Sequence, residues 1–202
     1  MRTIRWAAYA AIAVILAVWA AAWLRPGLLA SLSGRLESPG AVSVGGPFQL
    51  TDHTGKAVTE ASYRGRFMLI YFGYTFCPDV CPTELQTMAT AIDQLGPDAA
   101  KIVPIFITVD PERDTVTAVN DYVTLFDKRL VGLTGTQEQI STVTRAYRVY
   151  YAKATPKGSS TYLMDHSSFL YLMGPDGSFR SLFRQGMSPD DLAKALRNRL
   201  AG

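Results

Sequence analysis

The sequence predicts an α/β fold with a mixed sheet, and three observations carry that expectation. Two continuous apolar runs, FMLIYFGY (67–74) and IVPIFITV (102–109), are of the kind found in buried central strands. Segments of helical period alternate with them. The chain then closes on a hairpin signal followed by a capped helix, an order that fits a two-layer α/β arrangement.

The first element lies apart from that pattern. Residues 6–24, WAAYAAIAVILAVWAAAWL, form an uncharged run of 19 residues. At about 1.5 Å per residue a helix of this length just spans a hydrocarbon core of about 30 Å. Trp6, Trp19 and Trp23 sit near its ends, where amphipathic rings prefer the interface. Arg2 and Arg5 precede it and only Arg25 follows closely, so the positive-inside rule puts the N-terminus in the cytoplasm. Residues 1–25 are therefore expected to be a single-pass anchor in a bacterial-type inner membrane, with the rest facing the periplasm. A cleaved signal peptide is the rival reading, since Ala20-Ala21-Ala22 offers small residues at a cleavage position. Both readings export the remainder, where two cysteines can form a disulfide unless they are kept reduced.

Residues 26–46 are rich in Gly, Ser, Leu and Pro without a sustained period and are expected to be a tether. Residues 47–202 then form one domain. PFQLTDHTGKAVT reads as two short strands around a turn at Asp52-His53-Thr54-Gly55. After the strand at 67–74 comes a loop with both cysteines. A helix from about Pro82 to Leu95 follows, with Leu85, Met88, Ala89 and Ile92 on one face. The strand at 102–109 leads to a helix over 115–126, a short strand over 130–133 and a helix over 136–145 opened by a threonine cap. Two strands are expected around Pro156-Lys157-Gly158, and a hairpin joins 169–173 to 179–183 through Pro175-Asp176-Gly177. Ser188 caps a last helix at Pro189. This order fits a thioredoxin-like mixed-sheet sandwich with additional N-terminal strands.

The net charge of +3 is confined to the N-terminus. Arg2, Arg5 and Arg25 have no acidic neighbour in the first 25 residues, and beyond them 17 basic residues face 17 acidic ones. No basic binding surface is implied, so nucleic-acid binding is set aside.

The chemistry concentrates in two segments. Cys77-Pro78-Asp79-Val80-Cys81-Pro82 lies at the C-terminal end of a buried strand, the edge at which α/β folds build sites. Pro82 suits the first turn of a helix, which puts Cys81 at the N-cap and Glu84 three residues on, where a capping box wants it. The helix N-terminus should then favour a thiolate, at least at Cys81. A three-residue spacer lets the sulfurs either bond or splay around a metal. A stabilising disulfide is the rival, although so small a loop restricts the unfolded chain only modestly.

The second segment is Met164-Asp165-His166-Ser167-Ser168, which a thioredoxin-like layout brings opposite the cysteine loop. Two thiolates and one imidazole make a three-coordinate soft site, suited to Cu(I) and able to hold Cu(II). Asp165 is a candidate to orient the imidazole, against a simple loop-capping role; Met164 reads as strand-edge core. The other histidine, His53, reads as a solvated turn residue.

YFGYTFCPDVCPTEL (71–85), ITVDPERDT (107–115) and YLMDHSSFLYLMGPDG (162–177) together closely resemble the SCO family, the Sco/SenC copper-binding proteins. The resemblance covers the chain from about residue 45 to the end. It implies a thioredoxin-like domain on a membrane anchor, with copper bound by Cys77, Cys81 and His166. It also implies a role in assembling the dinuclear copper centre of cytochrome c oxidase subunit II. A periplasmic copper chaperone and a thiol reductant are then expected as further partners. The segment Asp110-Pro111-Glu112-Arg113-Asp114-Thr115 matches the family as well, and its charges are expected to fix that loop.

Two readings stay open. In the first the chain is a copper metallochaperone. In the second Cys77 and Cys81 are a redox-active pair that exchanges disulfides and reduces the oxidase's own copper-ligand cysteines. His166 separates them, because copper needs it as a ligand and thiol exchange does not. A peroxiredoxin-like peroxidase is a third, metal-free reading on a related fold.

Overall fold

The computed structural model describes residues 6, 12–16, 44–158 and 160–201. Residues 12–16 are helical, but the rest of the apolar run at 6–24, apart from Trp6, lies outside the described residues. Among the described residues no helix is long and apolar enough to cross a membrane.

From residue 44 on, the chain builds a seven-stranded sheet. Its strands are β1 (Gln49–Asp52), β2 (Ala57–Thr59), β3 (Phe67–Gly73), β4 (Ile102–Thr108), β5 (Val131–Thr134), β8 (Phe169–Met173) and β9 (Phe179–Arg184). They lie in the order β2-β1-β5-β4-β3-β8-β9. β3, β4 and β5 are parallel, and every other pairing is antiparallel. Strands β6 (Tyr151–Ala154) and β7 (Leu163–His166) pair only with each other, as a separate two-stranded arm. The helices are α1 (Val80–Asp93), α2 (Val116–Val123), α3 (Gln137–Ala146) and α4 (Pro189–Leu200). The βαβ unit β3-α1-β4, then the hairpin β8-β9 and α4, form the thioredoxin-like core. β5 extends it on one side, and the predicted N-terminal pair β1-β2 closes that edge.

The strands are central because their residues can be buried on both faces. All seven residues of β4 are buried, and only Phe67 of β3 keeps some exposure. Side chains alternate between the layers, as the two-residue period of a strand requires. Tyr71 and Gly73 look toward α1, while Phe72 packs tilted against Tyr147 and edge-on against Tyr171 with ring centroids 5.5 and 5.6 Å away. Burying each such ring contributes about 1.5–3 kcal/mol. Gly132 in β5 has no side chain because α2 crosses there: a Cβ would meet Val119 at 2.3 Å.

The expected caps at Thr136 and Ser188 are present, each side-chain oxygen accepting from the third helical N–H. One expectation fails. α1 begins at Val80 with Asp79 as its N-cap, so Cys81 is the second residue inside the helix. Pro82 fits the first turn anyway, because amide groups there need no helical partner. Glu84 makes no capping box. Its carboxylate is buried and accepts from the Gly186 N–H at 2.8 Å, tying α1 to the segment before α4.

Candidate metal centre

Strand β3 ends at Gly73, and the loop 74–79 turns the chain into α1. Cys77 is half-buried on that loop; Cys81 is fully buried one helical turn later; both are free thiols. Strand β8 lies beside β3 with Leu170 opposite Tyr71. The residues entering β8 therefore arrive at the cysteine end of the sheet, and they carry His166, the last residue of β7. The ligand atoms of Cys77, Cys81 and His166 all lie within 4.8 Å of one another.

Cys81 Sγ faces His166 Nε2 at 3.5 Å. His166 Nδ1 is 3.2 Å from the Ser167 carbonyl, which can only accept, so Nδ1 carries a proton at this contact. Nε2 is the ring atom that faces the sulfurs. The Tyr71 and Tyr74 rings meet the imidazole edge-on at 6.1 and 5.9 Å and fix its plane. A cleft of about 280 Å³ opens over Cys77 and His166, lined also by Tyr74, Pro78, Val80 and Met164. A larger groove of about 540 Å³ beside Phe67 and Arg199 contains no thiol or imidazole.

The two thiols differ electrostatically. Cys77 is lowered to about 4, first by the side chain of Cys81, then by His166 and the backbone N–H groups of Cys81 and Asp79, against the cost of burial. Cys81 is pushed up, first by its bond to Cys77 and then by burial. The charge therefore rests on the outer sulfur and the proton on the inner one. This reverses the expectation that the helix N-terminus favours Cys81. Cys81 lies inside the first turn, and its own N–H points at Cys77 Sγ at 3.3 Å.

Other residues also differ from expectation. Asp165 is exposed on the cleft rim, and the Ser167 carbonyl, not its carboxylate, orients the imidazole. Met164 is buried core, as expected. His53 is no mere solvated turn residue, since its Nδ1 accepts from the Gly132 N–H at 3.1 Å and pins the β1–β2 turn to β5. Sequence reasoning missed Gly73 and Tyr71. A Cβ at Gly73 would lie 3.0 Å from Cys81 Sγ, so the glycine makes room for the sulfur. The signal was a lone glycine inside an apolar strand, a mark of close approach. The Tyr71 hydroxyl is buried and finds no hydrogen-bond partner among the described residues. Burial and then the neighbouring Cys81 push its pKa up.

A thioredoxin-like domain that sets two thiols and an imidazole around one point belongs to the class of proteins able to hold a soft metal ion or exchange disulfides. The chain is a member of the SCO1/SenC family, whose model matches residues 37–201. The human mitochondrial SCO1 homolog is 46% identical over 158 residues, 76% of this chain and 52% of that protein. The chain thus spans about half the length of the curated relatives it matches, 52% and 46% for the human and Arabidopsis thaliana proteins. The structure of Arabidopsis thaliana ScoI with copper bound is 44% identical, with a TM-score of 0.75 over 79% of this chain and 99% of that one. That of Bradyrhizobium japonicum ScoI with copper bound is 46% identical, with a TM-score of 0.71 over 78% and 99%.

Proposed function

We propose that this chain is a membrane-anchored copper metallochaperone that binds one Cu(I) or Cu(II) through Cys77, Cys81 and His166. The observation that carries the reading is the convergence of three soft or borderline donors within 4.8 Å. The donor set fits the ion: one sulfur already carries charge, and the imidazole turns Nε2 toward the sulfurs. Copper is cargo here. Three ligands opening on a cleft allow a partner to take the ion by exchanging one ligand at a time. Copper-bound structures of relatives support the metal, and family membership supports a role in building the dinuclear copper centre of cytochrome c oxidase subunit II.

The apolar run 6–24 supports residues 1–25 as the anchor, 26–46 as the tether and 47–202 as the copper-binding domain. The arginine asymmetry supports a periplasmic domain on a bacterial-type inner membrane, where a copper chaperone would supply the ion and a reductant would keep the thiols open.

The unequal thiols favour a second reading, reduction of the oxidase's copper-ligand cysteines. In it the Cys77 thiolate attacks the target disulfide. Cys81 then loses its proton and attacks the mixed disulfide, releasing the target as a dithiol and leaving a Cys77–Cys81 disulfide.

Anaerobic titration of the reduced full chain with Cu(I) and Cu(II) separates the two. The chaperone reading expects one copper per chain, lost in Cys77→Ala and sharply weakened in His166→Ala. Absence of copper binding, with disulfide exchange indifferent to His166→Ala, leaves the reductase.

A further inference from the structure

Two parts of the chain supply the metal donors, and they are anchored differently. The cysteine loop is continuous with β3 and α1. His166 ends an arm, β6–β7, that makes no strand pairing with the main sheet. The loop that follows β4, residues 110–114, reaches both.

Asp114, fully buried, accepts from the Thr108 hydroxyl at 2.5 Å and, two residues before Cys77, from the Thr75 N–H at 3.0 Å and the Thr75 hydroxyl at 2.6 Å. Asp110, also buried, accepts from Arg113 Nε at 2.5 Å and from the Tyr162 hydroxyl at 3.0 Å, just before β7. Arg113 Nη1 donates to the Tyr162 carbonyl at 2.9 Å. The guanidinium lies 3.8 Å above the Tyr162 ring and 4.8 Å from the Phe76 ring, which neighbours Cys77 in sequence. Lys153 of β6 sits 4.6 Å from the Tyr162 ring and pairs with Glu112 at 2.6 Å, though that pair is largely exposed and weak. Arg113 thus joins the histidine arm to the cysteine loop, through a fork to Asp110 and the Tyr162 backbone and close approach to the Tyr162 and Phe76 rings. A lysine cannot reproduce both contacts.

We propose that Arg113 is a positioning residue for the metal centre: by clamping Tyr162 to Asp110 and packing against Phe76 it holds His166 against the cysteines and sets how slowly copper leaves. The release claim rests on the copper-binding reading; the clamp does not. Loss of charged hydrogen bonds and ring contacts predicts release faster by about tenfold or more.

The test uses the full chain in detergent micelles, reduced, as wild type, Arg113→Lys, Arg113→Ala and Tyr162→Phe. Three quantities are read: Cu(I) release into excess chelator, the sulfur-to-Cu(II) charge-transfer band, and amide hydrogen exchange of the copper-free chain. Arg113→Lys should bind one copper yet release it at least about tenfold faster, with a shifted band. Exchange should quicken over 151–166 while β3 and β4 stay protected. Tyr162→Phe, which keeps the ring and loses one bond to Asp110, should fall between it and wild type. Wild-type release and exchange in both arginine variants overturn the proposal. So does exchange that rises equally in β3 and β4, which makes Arg113 a general stabiliser. A wild-type chain that binds no copper overturns the copper reading and the release claim together, and exchange over 151–166 then decides the clamp by itself.

Discussion

The backbone N–H of Cys81 points at the sulfur of Cys77 across 3.3 Å, so the helix that carries the inner cysteine stabilises charge on the outer one. The polar end of α1 is thereby directed to the sulfur at the cleft.

The first prediction concerns pH. Cys77 is depressed to about 4, so its thiolate persists well below the pH at which an ordinary thiol is protonated. In the reduced, copper-free chain, alkylation of one cysteine should stay nearly level from pH 8 to pH 5 and fall only as pH approaches about 4. Peptide mapping should place the label on Cys77. A rate that falls tenfold per pH unit below pH 8 would contradict the charge assignment.

Gly73→Ala tests the space around Cys81. The new methyl would lie 3.0 Å from Cys81 Sγ, Phe106 and Tyr71. Overpacking of this kind costs about 1–3 kcal/mol. Copper affinity should fall further than the lost stability explains, because the sulfur itself must move. Unchanged affinity in a destabilised variant would show that the pocket yields elsewhere.

Asp114→Ala removes the acceptor of three hydrogen bonds at a fully buried position. Leaving those donors unpaired should cost about 2–4 kcal/mol in chemical denaturation. Burial raises the Asp114 pKa, so a neutral amide is the milder change, and Asp114→Asn should lose less than half as much. Equal losses from both would mean that the charge, and not the hydrogen-bond geometry, matters there.

Gly132→Ala is a control on β5, two strands away from the strand that leads into the cysteine loop. Its Cβ would sit 2.3 Å from Val119 and 2.9 Å from Val123, so α2 must shift off the sheet. A melting point lowered by several degrees, with copper affinity per folded chain intact, is expected. A matching loss of affinity would couple α2 to the metal centre.

The sequence by itself determined the strands, the helices apart from the start of α1, and the three candidate donors. FMLIYFGY and IVPIFITV are apolar on both strand faces and can lie only in the middle of a sheet. The caps at Thr136 and Ser188 follow from local chemistry, which a short window contains. Cys77, Cys81 and His166 were legible because few residue types bind a soft metal, and the family's spacing groups them. Only the tertiary structure decided what surrounds those donors. The charge lies on Cys77 because α1 starts at Val80, two residues earlier than expected, which puts Cys81 inside its first turn. Ser167 and not Asp165 orients the imidazole because β7 runs through His166. Arg113 meets Tyr162, 49 residues away, because the β6–β7 arm folds back over the loop after β4. Hydrophobic period and capping act over a few residues. Proton placement and side-chain bracing depend on ångström distances between segments that only the folded chain brings together.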